Sequence, residues 1–232
     1  MGIAAYCIVA GTDDWMSLKS AIVLLSGGID SATALYWAEQ QTPSIYSINI
    51  LYAQASYQEA KASKSLANAA KVKEHFTVSL PFYKDIQTRY HPIQPSNVTS
   101  AYVPARNTIF YGIAAAYAET LGIDTIIFGS NADDTRELPD ATPTFIQRMN
   151  ELLKIGTRTG ADGTSTQIVN PLINHSKVEV LKLALELKVP LGLTWSCYED
   201  VEIPCRKCRG CRNRLDAFKQ IGMVDPLKYQ FL

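Results

Sequence analysis

The densest chemistry in this chain lies in Ser26-Gly27-Gly28-Ile29-Asp30-Ser31, between an apolar run from Ala21 to Leu25 and a helical pattern over residues 32–40. A buried strand, a glycine turn and a helix in that order aim backbone N–H groups and a helix N-terminus at one point, which is an anion site. Gly27 and Gly28 let the backbone take positive φ and approach a phosphate closely. Ser26 and Ser31 add hydroxyl donors, and Asp30 can orient the loop or help to hold Mg2+. The chain has no G-x-x-x-x-G-K-[ST], so no P-loop lysine reaches a β- or γ-phosphate, and no G-x-G-x-x-G, which excludes a typical dinucleotide fingerprint.

A second cluster is sulfur-based. Four of the five cysteines, Cys197, Cys205, Cys208 and Cys211, fall in the spacing C-x7-C-x2-C-x2-C. Four thiolates close a tetrahedron around Zn2+ and leave no open position, so the ion is expected to be structural. An iron–sulfur cluster is the rival occupant, since thiolates alone also hold those. Arg206, Lys207, Arg209, Arg212 and Arg214 surround the knot. They read as compensation for its excess negative charge, with an RNA contact as the competing explanation; few aromatics are interleaved for base stacking.

The elements that must position these groups alternate along the chain. Strands are predicted at residues 21–25, 45–52, 74–78, 125–128 and 167–170. Helices are predicted at residues 32–40, 59–72, 105–121, 145–154 and 176–187, with Gly122 as a C-cap and Ser176 as an N-cap. This order predicts an α/β fold, a doubly wound, mainly parallel sheet whose ligands sit beyond the strands' carboxyl ends. Residues 1–18 read as an N-terminal extension, an edge strand or partly ordered arm in which Cys7 is a small buried hydrophobe. Residues 19–192 read as the nucleotide-binding domain, and residues 193–232 as a cysteine module with a C-terminal helix.

With 232 residues, 47% of them hydrophobic, the chain can bury a sizeable core. Its 22 basic residues balance its 22 acidic ones, so no strong whole-molecule field for nucleic acid or membrane exists. No apolar stretch reaches the roughly 18–20 residues that span a bilayer. The N-terminus is no secretory signal, and the reading is a cytoplasmic, soluble protein. His75, His91 and His175 show no ligating or catalytic pattern and read as structural.

The S-G-G-x-D-S string resembles the pyrophosphate-binding loop of the ATP pyrophosphatase (PP-loop) superfamily, which implies a HUP-type, adenine nucleotide alpha hydrolase-like fold and ATP cut to AMP and pyrophosphate. Joined to Tyr102-Val103-Pro104-Ala105-Arg106-Asn107-Thr108, Asn131, Pro139-Asp140, Gly156-Thr157, Pro171-Leu172, Lys177 and Leu193-Thr194-Trp195-Ser196-Cys197-Tyr198, it resembles the 7-cyano-7-deazaguanine synthase (QueC) family over nearly the whole chain. The resemblance implies a carbon–nitrogen ligase of queuosine biosynthesis that takes 7-carboxy-7-deazaguanine, ammonia and ATP. The acid is adenylated and aminated to an amide, which a second ATP then dehydrates to the nitrile. It implies Ser26 to Ser31 as the ATP loop and Asp30, Arg106 and Lys177 as catalytic residues. Asn107, Asp133 and Asp140 are implied as substrate-binding, the two carboxylates accepting from the N1–H and exocyclic amine of the deazapurine. A homodimer is also implied, with which Tyr229, Phe231 and Leu232 are compatible.

Three departures from the family pattern bear on the substrate side. Gln54-Ala55-Ser56 replaces Gln-Arg-His, Leu138 replaces an aromatic before Pro139-Asp140, and Asp200 replaces a glycine. Arg136 and Arg158 are candidates to restore the lost positive charge. Two other functions stand beside the synthase: an adenylating ligase with another acceptor or an amide endpoint, and a nucleic-acid-binding module built on the basic cysteine knot.

Overall fold

The computed structural model describes residues 18–52, 57–84 and 102–230. The N-terminal arm, the Gln54-Ala55-Ser56 departure, His91, Phe231 and Leu232 lie outside these. Five parallel strands form one sheet: β1 (Ala21–Leu24), β2 (Ile45–Leu51), β3 (His75–Ser79), β4 (Thr125–Ile127) and β5 (Gln167–Val169). Their order is β3-β2-β1-β4-β5. The chain therefore winds outward from β1 through β2 to β3, then returns to the other side of β1 for β4 and β5. The crevice between the ends of β1 and β4 is the point where the winding reverses, and there the connecting loops diverge.

The helices are α1 (Ile29–Glu39), α2 (Tyr57–Ala69), α3 (Arg106–Leu121), α4 (Ala132–Glu137), α5 (Pro143–Gly156), α6 (Arg158–Ala161), α7 (Lys177–Glu186) and α8 (Arg209–Gln220). β1 is buried on both faces, as its unbroken apolar run requires. Ala21, Val23 and Leu25 pack with residues of α1, α2, α7 and α8, whereas Ile22 and Leu24 pack with residues of α3 and α5. Ala217 and Phe218 of α8 belong to the first of these cores, so the segment after the cysteines closes the same core that β1 opens. Each fully buried side chain such as Leu35 or Phe218 contributes about 1.5–3 kcal/mol.

Element ends follow local chemistry. α7 begins in a capping box, Ser176 accepting from Glu179 N–H while Glu179 accepts from Ser176 N–H. Gly122 ends α3 in the left-handed region at φ 68°. α1 starts at Ile29 rather than at residue 32, because Gly28 takes an extended N-cap conformation and leaves Asp30 and Ser31 in the first turn. α4 and α6 are short and polar and are absent from the predicted order. Among the described residues no helix is long and apolar enough to cross a membrane.

Candidate active site

The phosphate-type loop sits at the β1–β4 crevice and is held from several sides. Gly27 has φ 95°, and a Cβ there would lie 2.6 Å from Glu59 O and 2.9 Å from Ser63 N, both backbone atoms of α2. Gly27 O accepts from Trp195 N–H at 2.8 Å, which ties the loop to the cysteine module. At the loop's entry, Leu25 O accepts from Asn49 Nδ2 (2.9 Å) and Ser63 Oγ (2.7 Å). Within the loop, Ser31 Oγ donates to Gly28 O at 3.1 Å and lies 3.0 Å from Ser26 Oγ. Gly28 caps α1 without any side-chain hydrogen bond, so the helix N-terminus keeps donors free for an anion.

Lys177, the first residue of α7, reaches 147 residues back to Asp30, with Nζ at 2.6 and 2.7 Å from its two carboxylate oxygens. Asn131 Nδ2 also donates to Asp30, at 3.1 Å. The end of β4 approaches equally closely, since a Cβ on Gly129 would stand 2.7 Å from Asp30 O. Asp30 is thus fixed by a lysine, an amide and a glycine contact from two other elements.

Asp134 was missed in the sequence. Asn131 and Asp134 form the capping box of α4, and Asp134 lines the cavity beside the loop. Burial raises its carboxyl above the usual range, and the charge of nearby Asp30 adds to that. The signal available was the N-x-x-D spacing directly after a buried strand.

The cavity holds about 230 Å³. Ser26, Ser31, Tyr52, Arg106 and Phe110 line it, together with the apolar side chains of Leu24, Ile48 and Ile50. Arg106 opens α3. Its Nη1 donates to Tyr52 Oη at 3.1 Å, and its guanidinium carbon lies 5.7 Å from the Tyr52 ring and 6.0 Å from that of Phe110. Burial opposes its charge, but Tyr52, Asp140 and Asp134 outweigh that and hold the pKa above the ordinary arginine value.

The remaining expected site residues stand differently. Asn107 is 1% exposed and lines the cavity, and its N–H and Nδ2 both donate to Asp140. Asp140 is buried at the N-terminus of α3 and does not line the cavity. Asp133 does not line the cavity: its side chain is half exposed, paired with Arg136 at 3.3 Å, and accepts from Lys177 N–H at 3.4 Å. Arg136 and Arg158 are spent on local pairs with Asp133 and Asp162 at the surface, so neither restores positive charge to the cavity. His75 Nδ1 lies 2.8 Å from Ser47 Oγ, a structural contact between neighbouring strands.

The four cysteine sulfurs lie within 4.8 Å of one another, and none forms a disulfide. The Cys205–Cys211 and Cys197–Cys208 separations are 4.0 Å. A tetrahedron with Zn–S bonds of about 2.3 Å has edges of about 3.8 Å, so the donor set fits a four-coordinate ion. Backbone N–H groups of Tyr198, Cys205, Lys207, Cys208 and Cys211 donate to the sulfurs at 3.3–3.4 Å, as thiolates require. Of the surrounding basic residues, Arg214 is buried and bidentate to Asp225 at 2.6 and 2.9 Å, so it is no counter-charge to the sulfurs. Arg209 pairs with Glu137 of α4. Tyr229 donates to Asp225 at 2.6 Å and packs on the cysteine cluster within its own chain.

The family described as queuosine biosynthesis protein QueC matches residues 20–222. A 7-cyano-7-deazaguanine synthase of Nostoc punctiforme is 38% identical over 221 residues, covering 90% of this chain and 99% of the relative. One from Acetivibrio thermocellus is 36% identical over 227 residues, covering 91% and 98%. Among solved structures, an NMN synthetase from Francisella tularensis shares the fold with a TM-score of 0.51 at 18% identity, covering 89% of this chain and 79% of that one.

Proposed function

The chain belongs to the QueC family of queuosine biosynthesis proteins, and on that footing we propose that it converts 7-carboxy-7-deazaguanine and ammonia to 7-cyano-7-deazaguanine. Two ATP are consumed, each cut to AMP and pyrophosphate. The observation that carries this is the uncapped N-terminus of α1 behind a glycine at φ 95°, opening at the β1–β4 crevice beside the cavity. The relatives that bear the synthase name match over nearly their whole length.

The loop from Ser26 to Ser31 takes the pyrophosphate portion of ATP. Its backbone N–H groups, that of Ile29 among them, and the dipole of α1 stabilise the charge that develops as the α–β bond breaks. Asp30, held by Lys177 and Asn131, keeps the loop in register and would be the residue to hold Mg2+, which would offset phosphate charge. Arg106 anchors the substrate carboxylate, its planar fork kept in one pose by Tyr52 and Phe110. The carboxylate oxygen attacks the α-phosphorus and pyrophosphate leaves. Ammonia then adds to the acyl carbon and AMP departs, giving the amide. In the second round the amide oxygen takes the adenylyl group, and loss of the nitrogen's protons with AMP leaves the C≡N bond. The apolar walls keep water from the adenylates, which hydrolysis would otherwise waste.

Asn107 and Asp140 belong to the substrate side of this site. The cysteine cluster holds structural Zn2+ and supplies no chemistry. The same reading carries a cytoplasmic enzyme that works as a homodimer on free ammonia. Incubation with ATP, ammonium and 7-carboxy-7-deazaguanine tests it: two AMP and two pyrophosphate should appear per nitrile, read by mass spectrometry. ADP as the nucleotide product, or AMP release independent of the deazapurine, would refute it.

A further inference from the structure

α3 begins under strain. Ala105, its N-cap, sits in the left-handed region at φ 53° and offers no side-chain cap. For a residue with a Cβ that conformation is disfavoured, and it persists only where the surroundings over-determine it. They do so here. Ala105 N–H donates to Tyr102 Oη at 3.2 Å, and Tyr83 Oη donates to Pro104 O at 3.3 Å.

The cap itself comes from far along the chain. Asp140 Oδ2 accepts from Asn107 N–H at 3.2 Å, placing a carboxylate at the helix N-terminus, where the dipole favours it. Asn107 Nδ2 returns a bond to Asp140 O at 2.9 Å, so the two residues, 33 apart, clasp each other. The remaining polar atom of the Asn107 side chain, Oδ1, accepts from Arg106 Nε at 3.3 Å. Both polar atoms of that side chain are therefore engaged, Nδ2 through one of its two N–H groups with Asp140 and Oδ1 with Arg106. Asp140 is 6% exposed, and its Oδ1 is buried without a hydrogen-bond partner. The buried hydroxyl of Tyr111, whose electrostatic neighbour is Asp140, also has none.

We infer that Asp140 and Asn107 are positioning residues that set the guanidinium of Arg106, and that Asp140 does not read the edge of the deazapurine. This deepens the reading of Arg106 as the carboxylate anchor and rests on it. A base-reading carboxylate would face the cavity with both oxygens free. Asp140 has one oxygen in a helix cap and one sealed in the interior.

A set of variants and one spectrum separate the alternatives. D140A should lower kcat/KM for 7-carboxy-7-deazaguanine by about 100-fold, the scale of a misplaced anchor. In an R106A background the same change should matter by less than about 3-fold, because both act through one contact. D140N keeps an acceptor for Asn107 N–H, so it should recover most of the loss. A carboxylate that accepts from two ring donors cannot be replaced by an amide, so a base reader would fail as D140N. D140A should also lower activity equally on the analogue lacking the 2-amino group, whereas a base reader would lose its discrimination. Full additivity with R106A, no rescue by D140N, or lost discrimination would each overturn the inference. The Arg106 Nε–H resonance, assigned by its disappearance in R106K, should move or broaden in D140A; an unmoved signal would also overturn it. That spectrum needs no turnover. If the wild-type protein releases no AMP with this substrate, the functional reading fails while the positioning claim is still judged.

Discussion

Replacing Gly27 with Ala tests the claim that α2 presses the loop into its working shape. Two penalties apply at this position. A φ of 95° lies outside the left-handed basin that L-residues tolerate, and the new methyl would stand 2.6 and 2.9 Å from backbone atoms of α2. The backbone penalty is roughly 1–3 kcal/mol, and overpacking against a rigid helix adds about 1–3 kcal/mol. Gly122 is the control, with φ 68° and open space where its Cβ would go. G122A should lose about 1–2 kcal/mol by strain alone, read as a drop of about 2–8 °C in Tm at about 2–4 °C per kcal/mol, with KM for ATP unchanged. G27A should lose about 2–6 kcal/mol in total if loop and helix hold their places. If the loop moves instead, stability is partly recovered and the site is lost, so KM for ATP rises about 10-fold or more. Thermal unfolding and pyrophosphate release on purified variants give both readouts. A G27A protein whose Tm and KM both match those of G122A would refute the contact between loop and α2.

Purified protein should carry about one zinc ion per chain, and C208S should lose it and melt earlier; broad visible absorption with iron in its place would refute the assignment. D134N should stabilise the fold at neutral pH by about 0.5–2 kcal/mol while reducing turnover. The sign follows from the raised carboxyl: its contribution to stability is present below the unfolded pKa and is lost as pH rises through the folded one, so the advantage of D134N should shrink on acidification. An advantage independent of pH would refute this. R214M strands Asp225, whose side chain is 3% exposed, and takes donors from Leu191 O and Thr194. It should cost about 3–5 kcal/mol, and a loss under about 1 kcal/mol in thermal unfolding would show that the pair is dispensable.

The loop, the strand before it and the cysteine cluster were legible because each is a local pattern. An unbroken apolar run specifies a doubly covered strand, paired glycines specify a turn, and thiol spacing specifies a chelate. Less was legible where helix phase decides the outcome. Asp133 and Asp134 are neighbours, yet successive residues of a helix point about 100° apart. One therefore meets Arg136 in solvent and the other faces the cavity. The short helix that carries them has no apolar stripe to reveal it. Arg214 shows a similar gap. Among five basic residues around the cysteines it reads as a counter-charge to the sulfurs, but its partner is the buried Asp225. The clasp between Asn107 and Asp140 spans 33 residues, and no periodicity in either segment points to the other.

The hydrogen bond from Trp195 to Gly27 O, together with Phe218 in the core beneath β1, has a consequence for the order of synthesis. The loop is made early by the ribosome, but its last supports are made at the far end of the chain. Until they emerge, β1 lacks part of its cover and the loop lacks its outer wall. Contacts this distant in sequence form late and leave apolar surface exposed meanwhile. A chain that ends before Trp195 therefore lacks both the hydrogen bond that holds Gly27 O and the part of the core that Phe218 fills.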